Sequence, residues 1–584
     1  MKKATRVPRS NRRALTAVIV NVTVLIVLAS CAQPAVRTAP DGSPMPSGGR
    51  ELTRDEQVRH VLNRLAFGAR PGDVAAVSSL GVDKWIDAQL NPSSVPDTLA
   101  ERLLGGFETQ KKKAYELLAD HIDPQELQQR INQQRTNANA SPGNAARDSM
   151  ALRSAQQSAQ RLAAQIVSAR MLRAMESERQ LQEVMTDFWE NHFSVYNGKT
   201  PNRYALLEYD RDVIRPHALG KFRDLVGAVA KSPEMLFYLD NWQSGVDSLH
   251  PNVDEERIEG RRATSNDSLV RAFAKLPRRR PRGLNENYAR ELMELHTLGV
   301  DGGYSQHDVQ EVARALTGWT IETPQLGGEF VFRPELHDAG EKTVLGHTLK
   351  AGRGLADGEE VLDILSRAPA TAHYVTLKLA RHFVSDDPPP ALVERCASTF
   401  TKTDGDIRET MRCIVTSPEF FSRAAFRAKV KSPFELVASA MRAMAAPPDT
   451  TPRTSQLVAQ LGQPIFGRST PDGWPDRGDA WMNGGAILNR INLGQRLAAG
   501  QFPGVKLANW PPAARLNHLP ADQQIDFAVS ELLGDGVSVD TRKILSSSDN
   551  PLLSNASNAA TPRPPSGLAG VVGMILGSPE FQRR

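Results

Sequence analysis

Apolar residues recur along most of this chain at the three-and-four spacing of a helix, and run after run stops on a glycine or a proline. Residues 53–66 close on Gly68, 71–80 on Gly81, and 82–90 run up to Pro92. Glycine can take the left-handed conformation that ends a helix, and proline cannot continue one. Alternation of period two is scarce. The clearest strands are 329–332 and 343–345, and a turn over 337–340 would join them into a small hairpin spanning 329–346. The expected fold class is therefore mainly α: a large multi-helix globular body with a small β-hairpin insert and disordered linkers. With 40% hydrophobic and 23% charged residues in 584, the chain can bury a large core.

Composition divides the chain into a signal (1–30), a tether rich in Pro, Gly and Ser (31–50), an N-terminal helical region (51–135), a central one (149–384), a C-terminal one (385–545) and a terminal helix (567–584). Two stretches, 136–148 and 546–566, carry too few apolar side chains to pack and are expected to be disordered. The triplet Ser-Pro-Glu recurs at 232–234, 417–419 and 578–580, each time after an apolar helical run. It reads as a helix start: serine caps, proline suits the first turn, and glutamate complements the positive helix end.

The amino end explains where such a chain goes. Six Lys or Arg precede the apolar run 17–29, which ends in Leu28, Ala29, Ser30 and Cys31. The run is short for a membrane span, and small residues before a cysteine invite lipid transfer and cleavage, so Cys31 is the expected palmitate-bearing anchor in the cell envelope. Ala32 gives no aspartate retention signal, which points to the outer membrane where the cell has one. Cleavage removes six cations and no acid, turning a formal +5 into about −1. A nucleic-acid partner is therefore not expected, since phosphate backbones need a concentrated basic face on the mature domain. The dense run Arg278, Arg279, Arg280, Pro281, Arg282 reads as a solvated loop.

Several separated segments carry a family resemblance: LNRLAFGARPGDV with DKWIDAQL, FWENHFSV, DVIRPHALGKFRDLV, NENYARELMELHTLGVDGGYSQHDVQEVARALTGW, FRPELHDAGEKTVLG, and LGQPIFG before DGWP. Together they resemble the bacterial family called domain of unknown function 1800. The resemblance implies an exported, helix-rich protein, often encoded beside another uncharacterised family that is similar to the alkaline phosphatase and sulfatase group. A sulfatase-like protein is thus an expected partner, next to the membrane lipid itself.

The residues suggest two places for chemistry. In the helix expected across 181–193, Leu181, Val184, Met185, Phe188 and Trp189 form one apolar stripe that includes His192, while Glu190 projects to the other side and is expected in water. A second helix, 285–298, places Glu291 on its core face beside Leu284, Tyr288, Leu292, Leu295 and Leu298, with Asn287 and Glu294 flanking it. A buried carboxylate needs a donor, a cation or a metal, and Arg290 and His192 are the candidates. The arrangement reads either as a hydrogen-bonded network fixing helix packing or as a pocket where histidine and carboxylates move a proton or hold a metal. No standard metal motif is present, and His296 turns away from the stripe of Glu291. His337, Asp338 and Lys342 form the second place, expected in an exposed loop, where they would transfer a proton or bind an anion, or else make a simple turn with a solvated lysine.

Asp301, Gly302, Gly303, Tyr304 and Ser305 resemble a calcium loop only superficially: position twelve would be Val312, and Ser305 with Asp308 makes a better capping box. Gly-x-Ser-x-Gly, phosphate-binding glycine loops and paired Cys-x-x-Cys units are absent. Trp474, Trp481, Asn483 and Arg490 either line a groove or pack. Cys396 and Cys413 flank the turn Thr403, Asp404, Gly405 symmetrically and would face each other across a helical hairpin, either as a disulfide of an exported protein or as two buried thiols. Two functions stay open. One is a scaffold or partner of a sulfatase-like protein. The other is an envelope hydrolase, with or without a metal in its chemistry, with His192, Glu291, His337 and Asp338 around one cleft.

Overall fold

Helix ends show why these residues fold as they do. Before the helix Arg54–Arg64, the Thr53 hydroxyl accepts from the Glu56 N–H at 3.4 Å and the Glu56 carboxylate accepts from the Thr53 N–H at 2.8 Å. The same reciprocal device, which satisfies two otherwise orphaned donors, starts Gln306–Ala315 at Ser305 and Asp308, and Pro433–Ala443 at Ser432 and Glu435. Of the three Ser-Pro-Glu triplets, only the first opens a helix, Pro233–Tyr238. At the other two the serine hydroxyl still accepts from the third residue on, Phe420 at 3.1 Å and Phe581 at 3.3 Å, but the chain then turns. Both phenylalanines are buried, so the core anchors these turns where helix propagation stops.

The computed structural model describes residues 49–137, 142–199, 202–246, 283–323, 328–516, 518–534, 537–546 and 567–584. The expected lipid signal with Cys31, the expected tether up to residue 48, the basic run 278–282 and the stretch 547–566 lie outside these residues. No described helix is long and apolar enough to cross a membrane. The expected break over 136–148 is a correction: the described part of it from Pro142 onward belongs to the 35-residue helix Pro142–Glu176. Its Ala, Gln and Arg residues are strong helix formers, and its second half is held by the buried Ile166, Ala169, Leu172 and Met175.

The single hairpin over 329–346 is also corrected. β1 (Trp319–Ile321) pairs antiparallel with β2 (Phe330–Phe332), Trp319 opposite Phe332, and β3 (Lys342–Val344) pairs with β4 (His347–Leu349), Lys342 opposite Leu349. Leu345 and Gly346, with φ of 48° and 79°, form the tight turn that folds β3 straight back on its successor. That leaves β2 to find the strand before it.

One contiguous cluster of buried apolar side chains runs from Leu52 to Phe581, and residues 52–584 form one compact unit; the expected helical regions share this core. The helix Leu568–Gly577 lies so close to Gly484–Ala498 that a Cβ on Gly494 would come within 2.8 Å of the Gly573 carbonyl oxygen, so glycine is required there. Cys396 in the helix Pro390–Lys402 and Cys413 in Ile407–Val415 are joined as a disulfide with their Cα atoms 5.7 Å apart.

Candidate functional site

A cleft of about 370 Å³ opens between the ends of two helices, Gln180–His192 and Pro369–Phe383, and is closed by the stretches 429–435 and 463–481. The apolar stripe expected on the first helix is buried, and it carries His192 in its last turn to the cleft wall. The second helix presents Tyr374, Lys378 and His382 four residues apart, hence on one face.

His192 defines its own protonation state. Lys378 Nζ, which can only donate, lies 2.8 Å from His192 Nδ1, so Nδ1 is the acceptor and the ring proton sits on Nε2, 3.0 Å from the His296 carbonyl oxygen that receives it. Burial and the neighbouring Lys378 charge push the imidazole well below its ordinary range, and the ring is neutral. His296, buried behind it, is pushed down to about 3, first by burial and then by Lys378. Lys378 makes no ion pair among the described residues. Its ammonium lies 5.5 Å from the Tyr374 ring centre, and burial pushes its pKa down to about 8.

Of the other charges around the cleft, Arg381 makes no ion pair among the described residues and donates to the Asp386 carbonyl at 3.1 Å, while the following are paired. Arg170 meets Glu190 at 2.7 Å and Asp187 at 3.0 Å. Glu190 is thus buried and not in water, because the helix Pro142–Glu176 covers the face of Gln180–His192 that looked free in the sequence. Beside this pair Arg215 bridges Asp210 and Glu183. Across the cleft, Asp476 meets His382 Nδ1 at 3.0 Å and Lys429 at 3.0 Å, while Arg584 meets Glu435 at 2.8 Å. Burial opposes the ionisation of Asp476, but His382 and Lys429 outweigh it and hold the carboxyl far below the usual range.

The expected constellation does not assemble. Glu291 is only half-buried, stands off the cleft, and has no hydrogen bond or ion pair with Asn287 or Arg290. Asn287 is exposed, Arg290 donates to Gln306 at 2.6 Å, and Glu294 accepts from the Tyr304 hydroxyl at 3.0 Å. The buried face of this segment is carried by Tyr288, Ala289, Leu292, Met293 and His296 at four-residue spacing, which leaves Glu291 to its side, and the His296 carbonyl accepts from His192. Burial, then repulsion from Glu294, raise the Glu291 pKa against the pull of Arg290.

His337, Asp338 and Lys342 are corrected more sharply: in place of an exposed loop they sit in the interior, at 0%, 0% and 1% exposure. Lys342 Nζ reaches Asp357 at 2.8 Å and the Asp338 carbonyl at 2.6 Å; His337 Nε2 lies 3.2 Å from the same Asp357, with its Nδ1 on the Thr317 carbonyl at 2.9 Å. Arg314 clamps Asp338 through two nitrogens, at 2.7 and 3.1 Å. The cluster ties β3 to the helices Gln306–Ala315 and Leu355–Arg367, and its opposite charges satisfy one another. Trp474 and Trp481 do line the cleft, 6.0 Å apart, whereas Arg490 is buried against Gln582 and Asn483 caps the helix Gly484–Ala498.

Lys378, His382 and Asp476 were not singled out from the sequence. A signal existed for the first two: Tyr374, Lys378 and His382 repeat at four-residue spacing along one helix. Among the described residues no group of three or more His, Cys, Asp or Glu side chains is gathered closely enough to hold a metal ion.

A family model described as a protein of unknown function, DUF1800, matches residues 60–583. No curated protein and no solved structure matches the chain. With nearly the whole length covered, the chain belongs to the DUF1800 family.

Proposed function

We propose that this DUF1800 protein is an exported, lipid-anchored cell-envelope enzyme of hydrolase type, with Lys378 as the proton-accepting group of its cleft. One observation carries this reading: Lys378 faces the cleft without an ion-pair partner among the described residues, its nitrogen held 2.8 Å from His192 Nδ1. An amine with a pKa of about 8 is present in both forms near neutral pH, as a general base must be. His192 accepts one of its N–H bonds and thereby orients the nitrogen, which makes His192 a positioning residue. A substrate with an anionic or strongly polar group would be drawn to Lys378 and to Arg381 in the same wall, neither of which has an ion-pair partner among the described residues. The envelope location rests on the sequence that ends in Cys31.

A second reading, a scaffold for a sulfatase-like partner, is favoured by one fact: His192, Glu291 and the His337 cluster do not converge on a common cleft. The test is hydrolysis of p-nitrophenyl acetate, butyrate, phosphate and sulfate by the purified mature protein, with mass spectrometry of its Cys31 peptide. Turnover that rises through pH 8 and is lost in K378M while H192Q alters the pH profile supports the enzyme. Wild-type turnover in K378M rejects Lys378, and no turnover of any ester with a retained partner complex favours the scaffold.

A further inference from the structure

A second cavity, of about 610 Å³, lies away from the cleft, between the stretch 69–75, the helix Pro433–Ala443, the stretch 510–515, the helix Ala521–Leu532 and the chain's last residues. Its volume falls in the range of small-molecule sites. Lys431 is set into its wall at 4% exposure. The ammonium donates to the Ser439 hydroxyl at 2.7 Å and lies 4.1 Å from the centre of the Phe581 ring, both part of the same wall. An ammonium has three N–H donors, and among the described residues only Ser439 accepts one, with no carboxylate in ion-pair reach. Burying such a charge without a counter-ion is costly, and burial pushes the Lys431 amine down to about 7, with Glu435 pulling the other way and Arg427 adding to the push.

The rest of the wall repeats the imbalance. Arg515 and Arg583 are exposed and make no ion pair among the described residues. Against these cations stand two carboxylates. Glu580 is engaged by the Ser538 N–H at 3.0 Å and the Thr541 hydroxyl at 3.1 Å, and Glu531 is exposed. Between the charges the lining is apolar and aromatic, with Trp510, Phe527, Phe581 and Leu532. Trp510 donates its indole N–H to the Ala443 carbonyl at 2.9 Å, which fixes the ring.

We propose that this cavity binds a small amphipathic organic anion, its acid group received by Lys431 and its apolar body laid against the part-exposed Phe527 and Leu532. A bare inorganic anion would satisfy the ammonium but leave the aromatic lining uncovered. An apolar amine would meet a wall of its own charge.

The test is calorimetry and thermal shift on the purified full-length mature protein at pH 7, with sodium 4-phenylbutyrate, 4-phenylbutylamine hydrochloride and sodium phosphate as probes. Phenylbutyrate is expected to bind and raise the melting temperature, phenylbutylamine to do neither, and phosphate to bind more weakly by about tenfold or more. K431M, which replaces a buried ammonium with an apolar side chain of similar length, is expected to lose about tenfold or more in phenylbutyrate affinity, and K378M none. Should K431M fail to fold, the exposed double variant R515Q/R583Q carries the same test, with a severalfold loss. Absence of phenylbutyrate binding, equal affinity in K431M, equal binding of the amine, phosphate as tight as phenylbutyrate, or a loss confined to K378M would each overturn the proposal.

Discussion

Replacing Lys378 with methionine should make the protein more stable at neutral pH. Burial lowers the lysine from 10.5 to about 8 in the folded state, while in the unfolded chain it keeps its ordinary value. Each unit corresponds to about 1.4 kcal/mol, so the folded protein bears roughly 3 kcal/mol for keeping this ammonium charged. Part of the side chain touches cleft water, and the contact with the Tyr374 ring is itself worth about 0.5–1 kcal/mol, so roughly 2 kcal/mol is a better figure for the gain in K378M. The pH dependence has a definite sign. Below pH 8 both states are protonated and the whole penalty is present; between 8 and 10.5 the folded protein releases the proton and the unfolded chain keeps it, so wild-type stability climbs relative to the variant; above 10.5 the penalty is gone. Urea denaturation of the wild type and K378M at pH 7, 8, 9 and 10 measures this directly. K378M should lead by about 2 kcal/mol at pH 7 and the gap should close with rising pH. A variant less stable than the wild type at pH 7, or a gap that does not change with pH, would mean that Lys378 has an anionic partner or full hydration, and the case for a base in the cleft would fall.

R170M removes the partner of two buried carboxylates, Glu190 and Asp187, and should cost about 3–5 kcal/mol by urea denaturation, with R170M/E190Q recovering part of the loss. The Cys396 to Cys413 bridge closes a sequence separation of 17, so C396A/C413A should lose about 3 kcal/mol, and thiol titration of the denatured, non-reduced wild type should find neither cysteine free. E291Q should leave the melting temperature unchanged or slightly raised at pH 7, because burial and Glu294 already disfavour the ionised carboxyl; a loss above about 2 kcal/mol would point to a buried partner for Glu291.

What the sequence made legible was whatever depends on neighbours in the chain. The capping box at Ser305 and Asp308, the glycine stop at Gly81 and the facing cysteines are local, and each is where spacing puts it. Glu291 escaped because the leucines Leu284 and Leu295 drew the expected core face to one side of the real one, which is carried by Tyr288, Ala289, Leu292, Met293 and His296. Glu190 escaped because a helix with one apolar stripe looks solvated on its other face until Arg170, twenty residues upstream, is seen to cover it. Lys342 escaped because a lysine near a turn is normally exposed, and only the distant Asp357 makes its burial tolerable. The cleft itself depends on side chains from five stretches of the chain, a convergence that no local pattern encodes.

Arg64, fully buried at the end of the first described helix, donates to the carbonyls of Phe383 and Ala425, partners 319 and 361 residues further on. Until those carbonyls arrive, the guanidinium has no place to go but water, and the helix that bears it cannot settle into its native seat. The order of events during biogenesis follows from this. Early segments must wait, unfolded or loosely collapsed, while hundreds of residues are still being delivered. It also makes the acquisition of the native state slow, dominated by closure of very long loops and exposed to aggregation in the interval. Refolding yields in the test tube should therefore be limited by concentration and improved by dilution, and the cell has reason to shield this chain with a holding chaperone until its two ends have met.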